Sequence, residues 1–200
     1  MSEYIGDIYY DYGNSLYINM TNLCSNRCEF CIRDMADSLG TANSLWLKRE
    51  PTYEELVEGL AEVDLDAYKE VVFCGYGEPT ERVEDLINLT KEIKSRADVI
   101  VRINTNGLGD LINGYKISPK LENVIDSVSV SLNTSNAEAY NDLCHPEFGI
   151  KSYQAMLDFT EEVKKYVPDV RMSVVSVISS KEIEECREIA NQLDVKFMVR

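Results

Sequence analysis

The strongest constraint on this chain is the way short β-branched runs alternate with longer amphipathic ones along nearly its whole length. Residues 15–21 (SLYINMT) read as a strand, paired in a hairpin with residues 4–10 through turn signals at 11–14. Strands are also expected at 70–74 (EVVFC), 99–104 (VIVRIN), 127–132 (SVSVSL), 170–178 and 195–199 (VKFMV). Helices are expected at 52–64, 82–95 and 151–166, with a weak helical segment at 120–125 and a last helix after Ser179. Thr52 with Glu55, Ser135 with Glu138, and Ser179 with Glu182 have capping-box spacing. Counted from residue 15, this makes six βα-type units with no internal linker. The chain is therefore expected to be one α/β domain over residues 1–200, with 1–14 as a hairpin extension and 15–200 as the six units. Such an order demands a parallel sheet with right-handed crossovers. Six units fall short of a closed eight-fold barrel, so a partial (βα)6 barrel or an open doubly wound sheet is expected. In both, ligands sit at the carboxyl ends of the strands.

Charge narrows the partners. Thirty-five acidic residues against 20 basic ones give a net charge of −15. That argues against retention on nucleic acid or anionic lipid by bulk charge. No apolar run is long enough to span a bilayer, and residues 1–10 carry neither a basic nor an apolar leader pattern, so the expected compartment is the cytoplasm.

Two constellations carry chemistry. The first is Cys24-Ser-Asn-Arg-Cys28-Glu-Phe-Cys31, directly after the first parallel strand. Three thiolates at C-x3-C-x2-C on one loop can converge on a single metal centre. A structural zinc site wants four ligands, and here the fourth would have to be Cys74, Cys144 or His145, the only histidine. An iron–sulfur cluster is ordinarily held by four cysteines, so three leave one iron open to a substrate or cofactor. The second constellation, Gly75-Tyr-Gly77-Glu78-Pro79, ends the next strand, where glycines allow close backbone approach and Glu78 can accept from an ammonium group.

Together, and in this order, the two motifs resemble those of the radical S-adenosylmethionine (SAM) superfamily, the second being similar to its GGEP segment. At finer grain the chain most resembles the short radical SAM proteins described as TatD-family-associated. The resemblance implies that Cys24, Cys28 and Cys31 hold a [4Fe–4S] cluster whose fourth iron SAM chelates. It implies that the Gly77 backbone and Glu78 receive the methionyl ammonium, that Gly75 also borders the cofactor, and that Phe30 and Ile32 pack near adenine. Asn106, in the segment Thr105-Asn106-Gly107, would lie beside SAM, and Ser131 and Asn133 would reach the ribose. The implied activity is reductive cleavage of SAM to a 5′-deoxyadenosyl radical that abstracts hydrogen from a substrate, small molecule or protein. A one-electron donor such as flavodoxin or ferredoxin would be the partner. The alternative is a non-catalytic zinc- or Fe–S-binding structural module.

Several residues carry weaker expectations. Tyr76 departs from the first Gly of the GGEP pattern, and the ribose positions lack a carboxylate. Arg102 is expected to face the interior, paired with a substrate anion or with a structural partner such as Glu78. Residues 33–50, with Trp46, form either a lid or an inserted surface loop. Val and Ile of the parallel strands are expected to supply a dry barrel interior.

Overall fold

The computed structural model describes residues 4–200, so the first three residues of the expected extension lie outside the described residues. In chain order the elements are β1 (Tyr9–Tyr12), β2 (Ser15–Ile18), α1 (Tyr53–Ala61), β3 (Glu70–Phe73), α2 (Val83–Arg96), β4 (Ile100–Thr105) and α3 (Gly109–Asn113). There follow β5 (Ser127–Ser131), α4 (Ala137–Cys144), α5 (Lys151–Val163), β6 (Asp169–Val174), α6 (Ser180–Gln192) and β7 (Lys196–Val199). The seven strands form one sheet in chain order. β1 and β2 are antiparallel, and every later pair is parallel. An order that never reverses, joined by right-handed crossovers, places all the helices on one face. The doubly wound alternative is thereby removed, and the sheet is a partial barrel of six parallel strands with a hairpin strand at one edge.

Strand parity divides the residues between two unlike faces. Leu16, Ile18, Val71, Phe73, Val101, Ile103, Val128, Val130, Met172 and Val174 point to the helices and are buried in one continuous core. Each such side chain contributes roughly 1.5–3 kcal/mol by leaving water. The alternate residues line the concave face, and by register they include Tyr17, Arg102, Asn104, Ser127, Ser129, Ser131, Arg171 and Ser173. The expected Val/Ile interior is therefore corrected: period-two alternation gives the branched residues to the helix side and leaves a polar lining inside.

Three local expectations also shift. The hairpin turns at Gly13 and Asn14, so β1 starts at Tyr9 and not at residue 4; Gly13 supplies a positive φ of 62°. The segment 120–125 is not an α-helix but follows a short 3-10 turn at Ser118–Leu121, while α3 and α4 lie where short or no helices were expected. Asn136, not Ser135, caps α4 by accepting from Ala139 N, because Ser135 Oγ is bonded to Glu185. The capping box of Thr52 and Glu55 and the cap at Ser179 form as expected.

Candidate active site

The carboxyl ends of β2, β3, β4 and β5 bring both constellations together. Glu78 N donates to Leu23 O at 2.7 Å, which lays the turn after β3 against the backbone just before Cys24. That contact explains the glycines. A Cβ on Gly77 would stand 2.2 Å from Thr21 O and 2.6 Å from Leu23 O, and one on Gly75 would stand 2.1 Å from Asn19 Oδ1. No such constraint acts at position 76. The Tyr76 side chain is buried against Trp46, with ring centroids 5.1 Å apart, and its hydroxyl donates to Ala36 O. Tyr76 thus anchors residues 33–50, which form a second small core of Tyr10, Ala42, Leu45 and Tyr76 beside Tyr17. Asp7 Oδ2 accepts from Asn43 N and Ser44 N, and Asn19 Nδ2 donates to Leu45 O at 2.7 Å. The segment is a fastened wall on the β1–β2 side of the mouth.

Glu78 is only 3% exposed. Its Oε1 accepts from Thr80 N, Thr80 Oγ1 and Thr105 Oγ1 at 3.0, 2.7 and 2.7 Å, and its Oε2 accepts from Asn106 N at 2.7 Å. Burial raises its pKa, outweighing these hydrogen bonds. Among the described residues it has no ion-pair partner. Asn106 Nδ2 donates onward to Ser25 Oγ at 3.1 Å, tying the end of β4 to the cysteine loop. Gly107 holds a φ of 77° with Met156 and Val130 too close for any side chain.

The cysteine loop is docked on α4. Arg27 N donates to Cys144 O at 2.9 Å and Glu29 N to Leu143 O at 3.0 Å, so helix-end carbonyls that lack an intrahelical donor receive one here. Asn26 Nδ2 donates to Tyr140 Oη at 2.9 Å, and Glu147 N to Ser25 O at 2.7 Å. His145 ends α4 in the left-handed region and faces Glu29 at 3.3 Å. Cys144, one of the possible fourth ligands, is the fully buried last residue of α4, close to the Cys28 thiol. Cys24, Cys28 and Cys31 are half-buried. Burial pushes the Cys24 thiol up to about 12 and raises that of Cys31; the Cys144 contact, then burial, raises that of Cys28. Metal binding must therefore displace protons from this loop. Among the described residues no group of three or more His, Cys, Asp or Glu side chains is already gathered as a metal-ligand set. Three soft sulfur donors on one half-exposed loop suit an iron–sulfur centre better than a hard cation. The buried Glu78 beside them suits a cationic ligand group.

The other expected residues are distributed unevenly. Phe30 packs partly on the main core, whereas Ile32 begins a 3-10 turn and is 37% exposed, so the two do not share one environment. Ser131 lies on the concave face, half-buried, and accepts from Arg200 Nη2 at 3.1 Å. Asn133 is buried at a φ of 62°; its Nδ2 donates to Cys144 Sγ at 3.7 Å and its Oδ1 has no partner. Arg102 pairs with Glu70, not Glu78, through Nη2–Oε1 at 2.7 Å and Nε–Oε2 at 3.1 Å. The sequence places Thr105 in the segment beside SAM and Thr80 directly after the second motif, but gives no sign that both bond to Glu78, and it does not single out Tyr140. Two open surface depressions of about 460 and 260 Å³ lie at the opposite, amino-terminal end of the strands, around Asp126 and Asp169, away from the cysteines.

Residues 18–193 match the family model described as the radical SAM superfamily. No curated protein matches the sequence. Among solved structures, the fold is similar to a radical SAM methyltransferase from Sphaerobacter thermophilus (TM-score 0.64, 15% identity, 96% of this chain and 57% of that one). It is also similar to SuiB from Streptococcus suis bound to S-adenosylmethionine (TM-score 0.60, 18% identity, 92% and 37%). A third likeness is to methylornithine synthase, PylB (TM-score 0.60, 15% identity, 92% and 52%). The chain thus spans between about a third and three-fifths of these chains' lengths. At such identities the likeness establishes the fold.

Proposed function

The chain belongs to the radical SAM superfamily, and from that membership we propose that it is an enzyme using a [4Fe–4S] cluster on Cys24, Cys28 and Cys31 to cleave SAM reductively. When bound, the cluster and SAM supply one-electron chemistry, giving a 5′-deoxyadenosyl radical that abstracts hydrogen from a substrate. The observation that carries this reading is the Glu78–Leu23 hydrogen bond, which sets a buried carboxylate with no ion-pair partner among the described residues beside the cysteine loop. An ammonium group there would neutralise a charge that burial disfavours. Gly75 and Gly77 admit the close approach, Asn106 ties the loop to β4, and the orphaned Asn133 Oδ1, with Ser131, is assigned to the ribose hydroxyls. Phe30 and Ile32 are assigned to the adenine side. Tyr76, Trp46 and the 33–50 wall exclude water from one flank, which protects a reactive intermediate. A one-electron donor such as flavodoxin or ferredoxin would complete the system. The finer likeness to TatD-family-associated proteins supplies no substrate.

The test is anaerobic: reconstitute with iron and sulfide, then add dithionite and SAM. Formation of 5′-deoxyadenosine is expected from the native chain and its loss from Cys28→Ala. A second reading, a structural zinc site, draws on the Cys28–Cys144 contact, which offers a fourth sulfur. Cys144→Ala separates the two. The three-thiol reading expects cluster content and SAM cleavage to persist. A zinc site would instead lose its metal and yield no SAM-derived product from either chain.

A further inference from the structure

The charges on the concave face follow a gradient that the proposed cofactor residues do not explain. Toward the amino ends of the strands every charge is paired. Arg102 holds Glu70 and also donates to Asn104 Oδ1 at 2.5 Å. Asp169 accepts from Ser127 Oγ, Arg171 Nη2 and Lys196 Nζ at 2.7, 2.5 and 2.5 Å. Those charges occupy the first two rows of the face, with Arg171 and Lys196 level with Asn104 and Ser129, and the next row, Ser131, Ser173 and Met198, is uncharged. Just past the carboxyl end of β7 the same face carries Arg200. Its backbone continues the sheet, since Arg200 N donates to Val174 O at 2.8 Å and Ser176 N donates to Arg200 O at 3.0 Å. Alternation from Lys196 and Met198 turns its side chain to the concave face, where its Nη2 donates to Ser131 Oγ at 3.1 Å. Among the described residues no carboxylate pairs with it.

An exposed guanidinium on the concave face, with no carboxylate partner among the described residues, has a fork of donors suited to a planar or tetrahedral oxyanion. We propose that Arg200 receives the oxyanion of the substrate, a carboxylate or a phosphate, so that the substrate is a small, polar, anionic molecule. This rests on the SAM-cleaving reading, because Arg200 is bonded to a residue which that reading assigns to the cofactor, and the receptor therefore borders the cofactor site.

The experiment uses the reconstituted 200-residue chain and two probes, inorganic phosphate followed by its 31P line width and SAM followed by equilibrium dialysis. Saturable broadening of phosphate at millimolar concentration is expected, abolished in Arg200→Gln and at least fivefold weaker in Arg200→Lys, with circular dichroism confirming that both variants fold. SAM affinity in Arg200→Gln should stay within twofold of the native value. Absence of saturable phosphate binding, or binding unaltered in Arg200→Gln, overturns the proposal. A tenfold or greater loss of SAM affinity in Arg200→Gln assigns the guanidinium to the cofactor's own carboxylate and overturns the substrate assignment. Arg200-dependent phosphate binding in a chain that forms no 5′-deoxyadenosine would overturn the SAM-cleaving reading while upholding the oxyanion receptor.

Discussion

Single atoms decide how closely the two motifs approach. A methyl group on Gly77 meets two backbone carbonyls that cannot turn aside, whereas one on Gly75 meets the amide of a side chain. Gly77→Ala should therefore cost about 2–4 kcal/mol in urea unfolding, in the range of severe overpacking. Gly75→Ala should cost less, and less again when made in an Asn19→Ala background, because the clashing Oδ1 is removed. Equal penalties for both glycines, with no reduction in the Asn19→Ala background, would contradict this account. The glycines and cysteines were legible in the sequence because their spacing is local. The partners of Glu78 were not, since Thr80, Thr105 and Asn106 reach it only after two strand ends are set side by side.

At the scale of elements, two pieces outside the sheet shape the mouth. Residues 33–50 hang on Tyr76, so Tyr76→Ala should loosen the small core around Leu45. The expected result is a loss of about 3 kcal/mol and new protease cleavage within 33–50, with the main core spared. Cleavage elsewhere first would mean that the segment is held by something other than this ring. α4 is the second piece, since its last carbonyls seat the cysteine loop. Asn136→Ala removes its N-cap and should cost about 1 kcal/mol by chemical denaturation. Helices with a clear amphipathic period, such as α1, α2 and α6, could be read from the chain. α4 could not, because its eight residues are too short for a persuasive period and its worth lies in what docks on its end.

Across the whole molecule, paired charges occupy the amino-terminal part of the barrel interior. Arg102 holds Glu70 below the usual carboxylate range. Burial works against ionised Asp169, but the hydrogen bonds from Lys196, Ser127 and Arg171 prevail and lower its pKa. A depressed folded pKa contributes stability above the unfolded value, about 3.9 for Asp and 4.3 for Glu, and that contribution is lost as pH falls through the folded value. Asp169→Asn should accordingly lower stability by about 1–2 kcal/mol at pH 7. The gap between it and the native chain should narrow as pH falls from 5 towards 3 in urea titrations. A constant gap would show that the carboxylate charge contributes nothing there. Comparing the two chains matters because, at a net charge of −15, acid also relieves general repulsion.

By itself the sequence determined the alternation of strands and helices, the parallel order, the two motifs and the family they belong to. Each of these is written in periods and spacings of a few residues. Only the tertiary structure decided that the sheet never reverses its order and that the concave face is polar. It alone brought a buried carboxylate, a cysteine loop and the cation at Arg200 to the same rim. Register and chirality of pairing between distant strands set those relations, and no local pattern encodes them.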